Sequence, residues 1–284
     1  MRSSTFPGVV CLLLLAAGLQ SAHAQGDTVD SGEIHPLLHD NFFLGIGAFW
    51  PQKEFKLRTS GTIPGEEIDF DEVFRFDESE TTGNLDFFWR FGGGRKWSLQ
   101  ANAWRVDSAG SAVLTEDIVW DDMIFREGSF VGAGVDLSVA RVLLGRKFWG
   151  NDTYEVGFGL GLHWMEIGAF VEGEIRIDDE STDLQRGDAK AEFPLPNINF
   201  WYLQQLSPRW AFSTKVDWLS ASVGDYSGGL WNVETGVHWQ AFRHVGFSAT
   251  LAYFELDGSV KDDDWRGDIS LTQYGPRARV YVNF

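Results

Sequence analysis

The stretch Arg209–Val245, RWAFSTKVDWLSASVGDYSGGLWNVETGVHWQAFRHV, decides how the chain folds. In its first half Trp210, Phe212, Thr214, Val216 and Trp218 share one parity and Ser213, Lys215 and Asp217 the other, which is the two-residue period of a β-strand. The second half repeats the pattern, with Trp231, Val233, Thr235, Val237 and Trp239 on one face and Asn232, Glu234, Gly236, His238 and Gln240 opposite. Each apolar face begins and ends in tryptophan, and in both strands the two tryptophans stand eight residues apart. At ~3.3 Å per residue and a strand tilt of ~40°, that separation is roughly 20 Å along a barrel axis. A lipid-facing band about 25 Å tall between aromatic girdles has that dimension, so the pair is predicted to be a membrane-crossing hairpin of a β-barrel.

The flanking sequence agrees. Arg2, the apolar run Val9–Leu19 and Ala22-His23-Ala24 have the layout of an export signal cleaved after Ala24, and the apolar run is too short to span a bilayer. The single cysteine, Cys11, lies within it, so the mature chain is expected to hold no thiol, disulfide or cysteine-bound metal. No other apolar run reaches about 18 residues, which excludes a helical membrane protein. With 32 glycines, 13 tryptophans and 23 phenylalanines the mean hydropathy is still only -0.16, as alternation of apolar and polar residues requires. The net charge of -18, one unit more negative without Arg2, argues against nucleic-acid binding and favours solubility during export. The expected organisation is a signal peptide over 1–24, a short periplasmic tail over 25–40 and a single barrel domain over 41–284.

Along that domain, Phe42, Leu44, Ile46, Ala48 and Trp50 are predicted outward, with Phe43, Gly45, Gly47 and Phe49 inward and the glycines making room for larger neighbours. Leu85, Phe87, Trp89 and Phe91 alternate with Asp86, Phe88 and Arg90, and after the turn Gly92-Gly93-Gly94 come Trp97, Leu99, Ala101 and Ala103 alternating with Ser98, Gln100 and Asn102. From Val131 to Leu144 the parity breaks. Val131, Ala133, Val135, Leu137 and Val139 share one parity while Val142 and Leu144 have the other, which predicts a bulge near Ala140 that turns Arg141 inward. Tyr154 to Trp164 alternates with Glu155, Gly157, Gly159, Gly161 and His163, and the strand from Phe193 to Leu203 places Asn197 and Asn199 inward. Val245 to Tyr253 is a further strand, and the last ends TQYGPRARVYVNF with an irregularity expected at Pro276. The segments 51–82, 107–129, 172–190 and 259–268 read as long, mostly acidic outer loops, 107–129 with an added hairpin. Short turns join the other ends, the asymmetry of a barrel with periplasmic termini. The prediction is an all-β, antiparallel transmembrane barrel of about ten strands, eight and twelve being the alternatives.

Phe284 ends the chain, preceded on the same face by Val282, Val280 and Ala278, with Tyr274-Gly275 upstream. This ending resembles the C-terminal assembly signal of Gram-negative outer-membrane barrels, from which it departs at Pro276, and the mature chain is similar to a broad group of small outer-membrane β-barrel proteins, many uncharacterised. The resemblance implies residence among outer-membrane lipids and lipopolysaccharide. It also implies escort by periplasmic chaperones and insertion by the barrel-assembly machinery through Tyr274, Val280, Val282 and Phe284.

Eight tryptophans, Trp50, Trp89, Trp97, Trp164, Trp210, Trp218, Trp231 and Trp239, are assigned to the aromatic girdles. Asp86, Arg90, Glu155, Lys215, Asp217, Glu234, Arg277 and Arg279, with His163 and His238, point into the lumen by parity. Charges there must pair, because desolvating an isolated one costs several kcal/mol. They read either as a salt-bridged plug or as the lining of a narrow conduit for small solutes. Ten strands also invite comparison with the omptin proteases, whose site resembles an Asp pair facing an Asp-x-His pair. This sequence contains no Asp-x-His. A deacylase or phospholipase needs a histidine beside a serine nucleophile near the outer leaflet, and sequence alone pairs none. No catalytic motif, cofactor or metal is assigned. EEIDFDE, IDDESTD and KDDDW lack the spacing of an EF-hand and read as solvated loops, with Phe70, Phe74, Trp120 and Trp265 packing them against the barrel mouth. The expected function is a structural or passively conducting outer-membrane barrel. The alternatives are an enzyme acting on lipid or peptide at the rim and an adhesin or receptor using the acidic loops.

Overall fold

The computed structural model describes residues 34–59, 67–69, 81–115, 117–120, 123–177, 181–223, 226–261 and 266–284. The expected export signal, most of the tail, the loop residues Phe70, Phe74 and Trp265 and the side chain of Trp120 lie outside the described residues. A short helix α1 (Pro36–His39) precedes the strands β1 (Phe42–Phe49), β2 (Gln52–Thr59), β3 (Glu67–Asp69), β4 (Thr82–Phe91), β5 (Trp97–Val113), β6 (Ile118–Trp120) and β7 (Met123–Phe125). There follow β8 (Phe130–Gly150), β9 (Tyr154–Ile177), β10 (Ser181–Ser207), β11 (Trp210–Val223), β12 (Tyr226–Phe242), β13 (Val245–Lys261) and β14 (Arg266–Asn283).

Antiparallel pairing runs β1, β4, β5, β8, β9, β10, β11, β12, β13, β14, and β14 pairs back onto β1, closing a barrel of ten wall strands as expected. β1 and β2 form one of those walls. Phe49 lies opposite Arg277 and Gln52 opposite Tyr274, so the register against β14 carries across Trp50 and Pro51 without a slip. The ladder lapses there because Pro51 and Pro276 bring no N–H to it, and Trp50 N–H donating to the Pro276 carbonyl at 3.1 Å bridges the gap. The irregularity expected at Pro276 is therefore confined to the β1 side; against β13 the register runs unbroken through Leu251 and Pro276. β3 extends the sheet from β2, and β6 with β7 makes the separate hairpin expected within 107–129.

Much of what reads as loop is strand. Residue 51 onward enters β2, the segment 172–190 is the paired end of β9 and β10, and β5 and β8 pair out to Val113 opposite Phe130. β9 and β10 are 24 and 27 residues long, where a bilayer needs about 9–11. On the outer face of this extension, among the described residues, opposite charges pair within and across strands. Lys190 pairs with Glu166 at 2.8 Å and Glu192 at 3.1 Å, and Arg186 with Asp188 at 2.9 Å and Glu172 at 3.1 Å.

The wall consists of two storeys with opposite chemistry. In the lower one the outer face is apolar, with Leu144, Leu160, Leu162, Ile198 and Leu251 exposed, and the inner face is polar. In the upper one the inner face is a packed apolar core that includes Phe55, Trp104, Val131, Leu137, Met165 and Phe254. The inversion takes one step along a strand: in β9 outward Trp164 gives way to Glu166 and inward His163 to Met165. This removes the bulge expected near Ala140. β8 stays in register with β9 from Val131 opposite Gly173 to Lys147 opposite Gly157. Val131 to Val139 face inward on the same parity as Arg141, while Val142 and Leu144 face outward; the chemistry of the faces inverts and the parity does not.

Inward glycines do make room for larger side chains: a Cβ on Gly157 would collide with the Trp201 ring. At the closing seam a Cβ on Gly275 would collide with the Trp50 carbonyl, whereas one on Gly45 meets nothing closer than 3.6 Å. Gly275→Ala is expected to destabilise the barrel by about 1–3 kcal/mol through overpacking, and Gly45→Ala by less than about 0.5 kcal/mol. Urea unfolding of the refolded protein, followed by tryptophan fluorescence, measures both.

Candidate functional site

The lower mouth is closed by α1. Pro36 stands in the first turn, where its missing N–H costs nothing, and His35 caps the helix by accepting Leu37 N–H on Nδ1 at 3.1 Å. The His35 backbone N–H donates to Gln205 Oε1 at 2.8 Å, and Leu38 packs on the inward Leu203 and Ala211 with Ile34 and Leu37 beside it. Arg90 reaches from β4 to donate to the carbonyls of Leu37 at 2.6 Å and Asp40 at 2.9 Å, and Asn283 donates to Asp40 Oδ2 at 2.6 Å. Residues 34–40, expected as a tail, are a stopper. His35 is completely buried, and desolvation lowers its pKa from 6.5 to about 4.

Above the stopper the inward charges gather into three groups. Arg90 pairs with Glu155 at 3.1 Å, and the Trp201 indole N–H donates to the other oxygen of Glu155 at 2.9 Å. Asp217 receives Arg141 at 2.7 Å, Asn199 at 2.8 Å and Asn197 at 3.0 Å on one oxygen and Asn232 at 2.8 Å on the other. His163 joins this group through Asn197 at 3.1 Å, with Nε2 3.9 Å from Asp217. Glu234 holds Arg277 at 2.9 Å and Arg279, and Arg279 also approaches Asp86 at 3.5 Å, where Asn102 donates at 3.0 Å. The Arg277 guanidinium lies 4.6 Å over the Phe49 ring. Lys215 faces Glu234 across the β11–β12 ladder but makes no ion pair or hydrogen bond with a described residue; it lines a cavity between the groups.

The ten inward residues expected from parity thus all face the lumen, and nine of them fall within or beside these groups. The tenth, His238, stands apart, its Nε2 2.8 Å from Ser213 Oγ. Among the described residues that pair lacks a group to orient the imidazole, because Nδ1 has no partner there, and it sits in the barrel interior rather than at the rim. The nucleophile–base–orienter arrangement is incomplete. Parity reasoning did not make Arg141 and Trp201 members of the network, although both share the inward parity of their strands and parity was the available signal.

All eight tryptophans assigned to girdles face outward, 40–49 % exposed. Trp210 stacks on Trp239 at 6.2 Å near the lower turns, and Trp218 lies 6.3 Å from Trp231 at the level where the faces invert. Trp89 and Trp97 flank the lower turn, and Trp50 and Trp164 stand at the inversion. In β14 Tyr274 and Val280 face outward and Val282 is half-buried, paired with Leu44 and Val245. Phe284 stacks on His244 at 5.2 Å while its carbonyl accepts the N–H groups of Asn41 and Phe42, joining the two ends of the barrel.

Among solved structures the chain is similar to the outer membrane protease OmpT from Escherichia coli, with a TM-score of 0.57 at 10% identity over 90% of this chain and 100% of that one. Likeness to the toluene transporter TodX from Pseudomonas putida is weaker, with a TM-score of 0.35 at 8% identity over 89% of this chain and 93% of that one. No protein-family model matches the chain, and no curated protein matches it in sequence. At this identity the likeness is one of fold: the chain has the fold of small Gram-negative outer-membrane β-barrels.

Asp217→Ala leaves the buried Arg141 and the amides of Asn197, Asn199 and Asn232 without their acceptor and is expected to cost about 3–5 kcal/mol; chemical unfolding of the refolded barrel measures it. The stopper carries its own pH dependence. Because the folded pKa of His35 lies below its ordinary value, the unfolded chain binds more protons between pH 6.5 and about 4. The stability His35 contributes is therefore complete above pH 6.5 and declines as pH falls toward 4, by up to roughly 3 kcal/mol. The difference in melting temperature between wild type and His35→Asn, followed across that window, is expected to shrink as pH falls.

Proposed function

We propose that the chain is an integral outer-membrane barrel closed along its axis, a structural element rather than a conduit. The observation that carries this reading is the filling of the lumen at three successive levels. α1 occupies the lower mouth, paired charges cross the middle around a cavity of about 110 Å³, and an apolar core including Trp104, Leu137, Met165 and Phe254 packs the top. A solute path needs a continuous wet column, and completely buried apolar side chains such as Val131, Met165 and Val171 interrupt it, the polar groups of Lys53, Ser108 and Gln273 lining a cavity of only about 20 Å³.

On this reading the exposed apolar belt of the lower storey lies in lipid between two rings of tryptophan, and the upper storey stands in water above lipopolysaccharide. Tyr274, Val280, Val282 and Phe284 present the last strand to the barrel-assembly machinery. Periplasmic chaperones carry the acidic precursor after cleavage behind Ala24. The test is planar-bilayer recording of the refolded mature chain, with folding checked by its altered gel migration before boiling. The expected record is silent, and it stays silent when residues 25–40 are deleted, because the apolar core remains. Discrete, reproducible channels from the wild type overturn the closed-barrel reading.

A further inference from the structure

The middle of the lumen holds a cavity of about 110 Å³ between the charge groups. One water needs only about 10–15 Å³ by such a measure, so the space accepts a molecule of several heavy atoms. Its wall is polar and incompletely partnered. Both amide atoms of Gln100, Ser248 Oγ, His238 Nδ1 and Arg141 Nε are buried without a hydrogen-bond partner among the described residues, on side chains of residues 3–8 % exposed. The charges around it do not balance. Each of the four carboxylates that the wall strands turn into the lower lumen already holds a guanidinium: Glu155 has Arg90, Asp217 has Arg141, Glu234 has Arg277 and Arg279, and Asp86 has Arg279, while Asp40 at the mouth accepts from Asn283. Lys215 is the cation left over, and it lines the cavity. Water satisfies orphaned donors but does not neutralise a desolvated ammonium.

We propose that this cavity is a binding site for a small monovalent anion, held by the Lys215 ammonium with the unpartnered donors of Ser248 and Gln100 around it. Leu37 of α1 also lines the space, which places the stopper between the site and the lower mouth. Gly45, on the same wall, keeps the volume open. A Cβ there meets only ordinary contacts, 3.6 Å from Tyr281 Cβ and 3.7 Å from Asp86 Cβ, so a valine is expected to take up part of the cavity.

The site is independent of whether the barrel conducts, since silence in a bilayer does not depend on what the cavity holds. Crystals of the refolded mature protein soaked in sodium bromide test it by anomalous diffraction. The expected result is a bromide peak in the cavity next to Lys215 Nζ, lost in Lys215→Met and in Gly45→Val. Both variants are first checked for heat-modifiable gel migration; if Lys215→Met fails that check, Gly45→Val decides alone. Adding sodium acetate to the soak separates two sources of the same chemistry: displacement of bromide assigns the carboxylate of a small organic acid, and failure to displace it assigns an inorganic ion. A wild-type cavity that holds water density and no bromide overturns the proposal. So does a peak that persists undiminished in a folded variant.

Discussion

A β-strand turns successive side chains to opposite faces, and that fixed alternation is the constraint on which this barrel depends. A wall that is apolar outside and polar inside can become polar outside and apolar inside only if both faces change at the same height, on strands that are neighbours. The register enforces this. Arg141 lies opposite His163, and one step higher Val139 lies opposite Met165, so β8 and β9 invert together. β12 inverts between Asn232 and Leu230, beside Asp217 and Leu219 of β11. Burying apolar area away from water is worth about 25 cal/mol per Å² in either storey. Below the inversion lipid receives that area, and above it the barrel receives its own.

Where the two storeys meet, the polar lumen ends against the apolar core, and the network under that ceiling has to satisfy itself. A buried carboxylate with one partner is a liability; with several donors it becomes a fixed point. Asp217 binds one guanidinium and three amides drawn from β8, β10 and β12, so it ties four strands together through one carboxylate, its own included. Glu234 does the same for β12 and β14, and Arg90 links β4 to Glu155 of β9 while its remaining donors hold the carbonyls of α1. The stopper is therefore an outgrowth of the network: the same guanidinium that neutralises Glu155 anchors the helix.

The ten strands and the inward direction of each charge were legible in the sequence because a period of two survives any tertiary context. Trp210 to Trp218 and Trp231 to Trp239 gave the direct case. The upper storey was not legible, for a physical reason. Residues 172–190 alternate charged and uncharged positions, but a solvated wall strand and an acidic loop share that composition, and only the pairing of β9 with β10 separates them. In β8 the run Val131 to Val139 followed by Val142 and Leu144 mimics a slip of register when apolar is equated with outward. Pairings escaped as well. Lys215 faces Glu234 across the ladder, yet Glu234 is taken by two arginines from β14, because curvature of the closed wall brings side chains together across the lumen. The fold of α1 rests on contacts with Arg90, Gln205 and Asn283, which are distant in sequence.

A buried ion-pair network is weak support for stability, since apolar side chains of similar volume do as well or better. Its retention in the lower storey has another cause. That storey faces lipid outside, so an apolar lumen would make its strands apolar on both faces. A strand of that kind has no preferred register, since a slip of one residue exchanges two equivalent faces. It would also be prone to pair with other chains before insertion. Polar inward residues remove both problems at once. A one-residue slip would place Asp217 or Glu234 in hydrocarbon, and the alternating strand remains compatible with water beforehand, in keeping with a mean hydropathy of -0.16. The upper storey needs no such device, because its outer face is charged and water alone fixes which side turns inward. The polar lumen is thus required by the medium outside the wall, and its ion-pair network follows from having to satisfy it.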